Sequence, residues 1–107
     1  LERVFDNLLR NAVNYSYPNT VIQLSMEQRK DEHKVLLRVQ NHGRTIAKEK
    51  LEHIFEQFFR VDASRSSATG GSGLGLAIAR QIVEMHHGQI QAESVDEIIV
   101  FEVELPI

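Results

Sequence analysis

The sequence contains no cysteine, which excludes disulfides, thiolate zinc sites and thiol redox chemistry. No apolar run approaches the roughly 20 residues of a membrane-spanning helix. There is no excess of positive charge either. Twelve Lys and Arg against fifteen Asp and Glu leave a net charge of −3, where a nucleic-acid binder would carry a basic excess or stripe. Neither a nucleic-acid partner nor direct membrane contact is therefore expected. No signal peptide and no initiator Met are present, and Leu1 opens straight into a helical pattern. The sequence thus reads as a piece of a longer protein. What remains is ordinary globular material: 107 residues, 42% hydrophobic and 25% charged, enough for one domain with a real core.

Apolar residues at Leu1, Val4, Phe5, Leu8, Leu9 and Ala12 fall at helical spacing, so a first helix is predicted over 1–15. Tyr17-Pro18-Asn19 ends it. A strand is predicted over 20–26, with Ile22, Leu24 and Met26 on one face, then a charged run, Glu27 to Lys34, read as a solvated hairpin loop. Val35 to Val39 resumes a strand, and Asn41-His42-Gly43 signals a turn. A second helix is predicted from Lys48 to Phe59 around Leu51, Ile54, Phe55 and Phe58. The stretch from Asp62 to Gly73, rich in Ser, Ala and Gly, is expected to be a mobile loop. A third helix, Leu74 to His86, would turn Ile78, Ile82, Val83 and Met85 to the core and be capped by Gly88. Gln89–Val95 and Ile98–Leu105 read as a closing hairpin around Asp96-Glu97. This order predicts an α+β fold with helices on one face of a largely antiparallel sheet.

Few residues are candidates for chemistry. Asn7, Asn11 and Asn14 share one stripe of the first helix. Asn is a mediocre helix former, so the stripe is either a polar face meeting solvent or a set of neutral oxygens for Mg²⁺ beside phosphates. Gly71-Ser72-Gly73-Leu74-Gly75-Leu76 opens a helix, where glycines permit close approach and free N–H groups attract phosphate. It lacks the preceding strand of a dinucleotide fingerprint and the Gly-Lys-Ser/Thr of a P-loop; a flexible linker is the alternative. Arg60 and Arg65 flank the loop and could reach phosphate oxygens. For Arg65 a solvated surface position is the simpler reading. The five histidines show no metal-ligand spacing. No Ser/His/Asp set or carboxylate pair stands out.

Together these segments resemble the ATP-binding catalytic domain of bacterial sensor histidine kinases, a Bergerat-type nucleotide fold shared with gyrase B and MutL-type ATPases. Asn7 to Ser16 resembles the N box. Val39 to Gly43 stands at the first glycine box. Ile54 to Arg60 resembles the F box, and Gly71 to Ala79 the second glycine box. The segment Arg65 to Gly71 is similar to the lid of vancomycin-resistance sensor kinases. The resemblance implies a two-layer sandwich over residues 1–107, with three helices on one face of a mixed, mostly antiparallel sheet lacking its first strand. It also implies ATP or ADP and Mg²⁺ as cofactors, with Asn11 and Asn7 holding the ion and, with Arg60, serving catalysis. Tyr15 would lie along the adenine. Gly71, Gly73 and Gly75 would bring N–H groups to the phosphates, and residues between Arg60 and Gly73 would form the lid. Asn14, Asn41, Gly43, Ile46, Arg65, Ser72, Leu74 and Leu76 complete the implied nucleotide site. Phe55, Phe58 and Phe59 would position the lid and touch the helical dimerisation domain.

The implied reaction is transfer of the γ-phosphate to a histidine on that separate dimerisation domain, then to a cognate response regulator. The setting would be the cytoplasmic part of a membrane-anchored sensor. None of the chain's own histidines suits the acceptor role, so this chain alone should bind ATP with little turnover. Three positions depart from the family. Asn41 stands where an Asp accepts a hydrogen bond from the adenine amino group, Thr45 replaces a glycine, and Asn14 replaces a lysine. Asn41 accepts without charge assistance, and its amide can donate to a guanine carbonyl. Weaker ADP binding than in Asn41→Asp and poorer discrimination against GDP are therefore expected. The departures also leave room for a degenerate nucleotide-binding module that signals by docking. A hydrolytic ATPase needs a glutamate in the first helix; Glu2 lies too far before Asn11 and Asp6 is one residue short of Asn7.

Overall fold

The computed structural model describes residues 2–56 and 75–107. Helix α1 spans Glu2–Tyr15 and buries Val4, Leu8 and Ala12, one residue per turn on a single stripe. Burying a side chain such as Leu8 stabilises the fold by about 2 kcal/mol. Strand β1 (Gln23–Arg29), a single 3₁₀ turn (Lys30–Glu32) and strand β2 (Lys34–His42) form a hairpin. Helix α2 is one turn, Lys48–Leu51. Helix α3 spans Gly75–Met85, and strands β3 (Gln89–Val95) and β4 (Ile98–Pro106) close the chain.

The strands lie in the order β1-β2-β4-β3, with every neighbouring pair antiparallel. β2 and β3 consequently run parallel to each other across β4, joined by the segment that carries α2 and α3. That crossover lays α2 and α3 against β3, on the side of the sheet where α1, from before β1, packs on β2 and against α3. Beneath them Val39, Ile99, Phe101, Val103 and Leu105 form the sheet's share of the core. The Phe55 ring meets Phe101 edge to face, with centroids 6.0 Å apart. The opposite face carries Arg38, Glu102, Lys34 and Glu104, paired across strands in two salt bridges.

Several elements differ from their sequence reading. The charged run is not all loop: Glu27 to Arg29 extend β1, and only Lys30–Glu32 turn. Leu24 and Met26 stand opposite Val39 and Leu37 on the helix-facing side of the sheet. They are nonetheless 49% and 70% exposed, because β1 is the edge that no described helix covers. Asn41 and His42 belong to β2 rather than to a turn, since both pair in register with β4. The second helix stops at Leu51 and continues as turns to Glu56, with Gln57 to Phe59 outside the described residues. Met85 is 77% exposed rather than core; it ends α3 beyond the last buried position, Val83. At that end His87, not Gly88, takes the left-handed conformation, with φ 62°. Gly88 is required for another reason: a Cβ there would lie 2.4 Å from the Glu104 carbonyl oxygen. The expected mixed sheet is antiparallel between all neighbours among the described residues. The closing hairpin turns at Asp96-Glu97, both at positive φ, as a two-residue turn between twisted strands demands.

Candidate nucleotide site

At 100° per residue, Asn7, Asn11 and Asn14 fall on one flank of α1, beside the buried stripe of Val4, Leu8 and Ala12. All three are half-buried, as is Tyr15. The flank therefore lies at the rim of the core and does not point freely into solvent. The three asparagines span about 10 Å along the helix axis.

Each end of the flank meets one glycine motif. Near Asn7 stands Gly75, the first residue of α3: a Cβ on Gly75 would lie 3.9 Å from Asn7 Cγ and 4.0 Å from its Oδ1. That is ordinary contact distance, so among the described residues nothing at Gly75 clashes with a side chain. At the other end the chain reverses against β2. Ser16 bridges to Gly43, and the Tyr17 N–H donates to the His42 carbonyl at 2.8 Å. Gly43 differs from Gly75, because its Cβ would sit 2.2 Å from the Tyr15 carbonyl oxygen. Here glycine is what lets α1 and β2 touch.

Asn41 is 1% exposed and is the one buried polar side chain among the described residues. Its Nδ2 has no hydrogen-bond partner there, an arrangement that native structures rarely leave without a reason. The segment after β2 is tied to the β3–β4 hairpin. The Gly43 N–H donates to the Glu97 carbonyl at 3.0 Å. The Glu97 N–H donates to the Thr45 hydroxyl and the Ile46 N–H to the Ser94 hydroxyl, each at 2.8 Å. Thr45, which departs from the family pattern, thus anchors the hairpin turn, and Ile46 is buried in the core. Neither Ser94 nor Thr45 was a candidate from sequence, because only the fold brings β3 and its turn beside residues 43–46. Tyr17 donates its hydroxyl to the Glu97 carboxylate, and that bond raises the phenol above its usual range.

Among the sequence candidates, the structure brings Gly75 beside Asn7 at one end of the α1 flank, and Gly43 beside Tyr15 and Asn41 at the other; Asn11 and Asn14 lie between them on α1, and Ile46 is in the core cluster. Arg60, Arg65, Gly71, Ser72, Gly73 and Leu74, together with Phe58 and Phe59, lie outside the described residues. Among the described residues no cluster of His, Cys, Asp or Glu could hold a metal ion. Asn7 and Asn11, one turn apart on α1, offer carboxamide oxygens of the kind a hard cation such as Mg²⁺ takes. Among the described residues no helix is long and apolar enough to cross a membrane.

A neutral amide flank thus runs between two glycine motifs, on helices laid over an antiparallel sheet, in an α+β domain. Residues 1–107 match the family described as histidine kinase-, DNA gyrase B-, and HSP90-like ATPase, and the chain belongs to it. It is similar to the sensor protein VanSC of Enterococcus gallinarum, with 48% identity over 106 residues, covering 99% of this chain and 28% of that protein. It is 50% identical to the sensor protein VanS of Enterococcus faecium over 106 residues, covering 99% of this chain and 27% of that one. Among solved structures it superimposes on the catalytic domain of histidine kinase ThkA with a TM-score of 0.81 and 35% identity, covering 98% of this chain and 64% of that one. ThkA has also been solved in complex with the response regulator protein TrrA. The chain spans under a third of the length of these sensor proteins.

Proposed function

We propose that this chain is the ATP-binding catalytic domain of a sensor histidine kinase. In this reading it binds Mg-ATP and presents the γ-phosphate to a histidine on a separate dimerisation domain, and a response regulator is the later acceptor. The observation that carries the proposal is the amide flank of α1 abutting, at Asn7, Gly75, a glycine that none of the described residues requires sterically. The similarity to sensor proteins and to a kinase solved with its response regulator supports the same reading. So does the setting of those relatives as sensors, which fits a cytoplasmic domain of a membrane-anchored protein.

The roles follow from placement. Asn7 and Asn11 would hold Mg²⁺ through carboxamide oxygens, adding no negative charge beside the phosphates. When bound, the ion supplies neutralisation of phosphate charge. At the start of α3 backbone N–H groups would meet the phosphates, with Gly75 allowing their close approach. Asn14 and Tyr15 lie toward the other end, where Asn41, Gly43 and Ile46 would line the base. Phosphoryl transfer needs positioning and charge stabilisation more than covalent help, and an uncharged site of this kind provides positioning.

The test is a thermal melt with Mg²⁺ and ADP, followed by labelled ATP with a matched dimerisation domain. ADP at 100 times its dissociation constant should stabilise the fold by about 2.7 kcal/mol, several degrees for a domain of this size. Labelled phosphohistidine should then form on the added domain. An upward shift without transfer would instead make the chain a nucleotide-dependent docking module.

A further inference from the structure

Asn41 is the residue whose placement the fold does not explain. Its side chain stands on the inner face of β2, opposite Ile99 and two residues from Val39, both core residues. A carboxamide there breaks an otherwise apolar row. It is 1% exposed, and Nδ2 is buried with no acceptor among the described residues. An unpaired buried donor weakens the fold, whereas an apolar residue of similar size would not. Gly43, adjacent in space, presents no side chain toward it: a Cβ at Gly43 would come within 3.2 Å of Asn41 Nδ2. The donor is therefore buried without a partner among the described residues, at the end of α1 where the nucleotide reading places the base.

We propose that Asn41 makes this a site that accepts 6-oxopurine nucleotides as well as adenine nucleotides; the inference rests on the nucleotide-binding reading above. A purine edge meeting Asn41 must supply an acceptor to Nδ2. Adenine offers a ring nitrogen beside its amino group. Hypoxanthine and guanine offer the 6-oxygen beside an N–H. A carboxamide carries one donor and one acceptor, and a half-turn about its last bond exchanges them. It therefore matches both edges. A carboxylate at the same position has no donor and would face the 6-oxygen with like partial charge. Selectivity of a site that hydrogen-bonds its ligand comes from the group left unpaired by the wrong one, and Asn41 leaves neither edge unpaired.

Inosine diphosphate is the sharpest probe, because it replaces the amino group of ADP by an oxygen and adds nothing at the 2-position. Calorimetric titration of the chain with Mg-ADP and Mg-IDP should give dissociation constants within fivefold of each other. A preference for ADP of fivefold or more overturns the proposal. In Asn41→Asp the ADP preference should rise by about tenfold or more, the usual consequence of an unpaired buried group; an unchanged ratio also overturns it. Should that variant fail to fold, the wild-type ratio still decides. The Asn41 side-chain amide resonances add a second readout: they should shift when IDP binds, and their failure to move counts against the proposal. Binding of neither nucleotide would instead refute the nucleotide-site reading beneath it, an outcome distinct from selective binding of ADP.

Discussion

Gly43→Ala is the perturbation whose cost the structure sets most directly. The new methyl would lie 2.2 Å from the Tyr15 carbonyl oxygen and 3.2 Å from Asn41 Nδ2. The first is backbone and the second the amide tip of a fully buried side chain, so backbone has to move by about 1 Å for ordinary contact to be restored. The movement separates the end of α1 from the end of β2. It strains the Tyr17 N–H bond to the His42 carbonyl, 2.8 Å, and the Gly43 N–H bond to the Glu97 carbonyl, 3.0 Å. Overpacking of this kind costs about 1–3 kcal/mol, and a weakened backbone hydrogen bond about 1 kcal/mol more. A total of roughly 2–4 kcal/mol corresponds to a fall in Tm of about 10–20 °C for a domain of this size. Circular dichroism melts of the two proteins without ligand measure it. A Tm within 3 °C of the parent would refute the claim that glycine at 43 is a packing requirement.

Gly75→Ala should behave in the opposite way. Its Cβ meets Asn7 only at 3.9 Å, so the melt should hold or rise by up to about 1 kcal/mol of helix preference, while calorimetry shows weaker binding of Mg-ADP; a variant that binds ADP like the parent would remove Gly75 from the site. Asn11→Ala should leave the melt nearly unchanged, because Asn11 is half-buried and outside the core cluster, yet lower the Mg²⁺-dependent part of ADP binding at least about tenfold. Phe101→Ala removes a ring that is fully buried and meets Phe55 edge to face, a loss of about 3–5 kcal/mol; chemical denaturation should show a large drop in midpoint. His53 donates a hydrogen bond from Nδ1 to the Glu56 carboxylate, which raises the imidazole above its ordinary value of 6.5. The pair's contribution is therefore fully present below the unfolded value and is lost as pH rises through the folded one. An NMR titration should find His53 above 6.5, and Glu56→Gln should move it downward.

Much of the architecture was legible from pattern alone because the pattern answers to local geometry. The stripe of Val4, Leu8 and Ala12 repeats at helical spacing, and it is what α1 buries. Ile99, Phe101, Val103 and Leu105 alternate and are the buried row of β4. Asp96-Glu97 turned where two apolar runs had to reverse. The failures came where a distant partner decides. Leu24 and Met26 alternate like core residues, but whether a strand is covered depends on which strands the helices cross, and β1 is left uncovered. Asn41 read as a turn residue because Asn and Gly together usually mark one; pairing with Ile99, far along the chain, holds it in a strand.

The same division runs through the site. The sequence by itself determined which chemistry is available: no thiols, no acidic metal cluster among the described residues, a line of neutral amides on one helix flank and glycines at two element ends. These are properties of residue type and spacing along one helix, where positions four apart are neighbours whatever the rest of the chain does. Tertiary structure alone decided that the two glycines have opposite reasons, one steric at Gly43 and one open at Gly75. It also decided that Thr45 and Ser94 fasten the loop beside the base end, and that the amide of Asn41 is buried with a donor still to be paired. Each of these depends on contacts between residues far apart in the chain, and such contacts exist only once the crossover has laid the helices over the sheet.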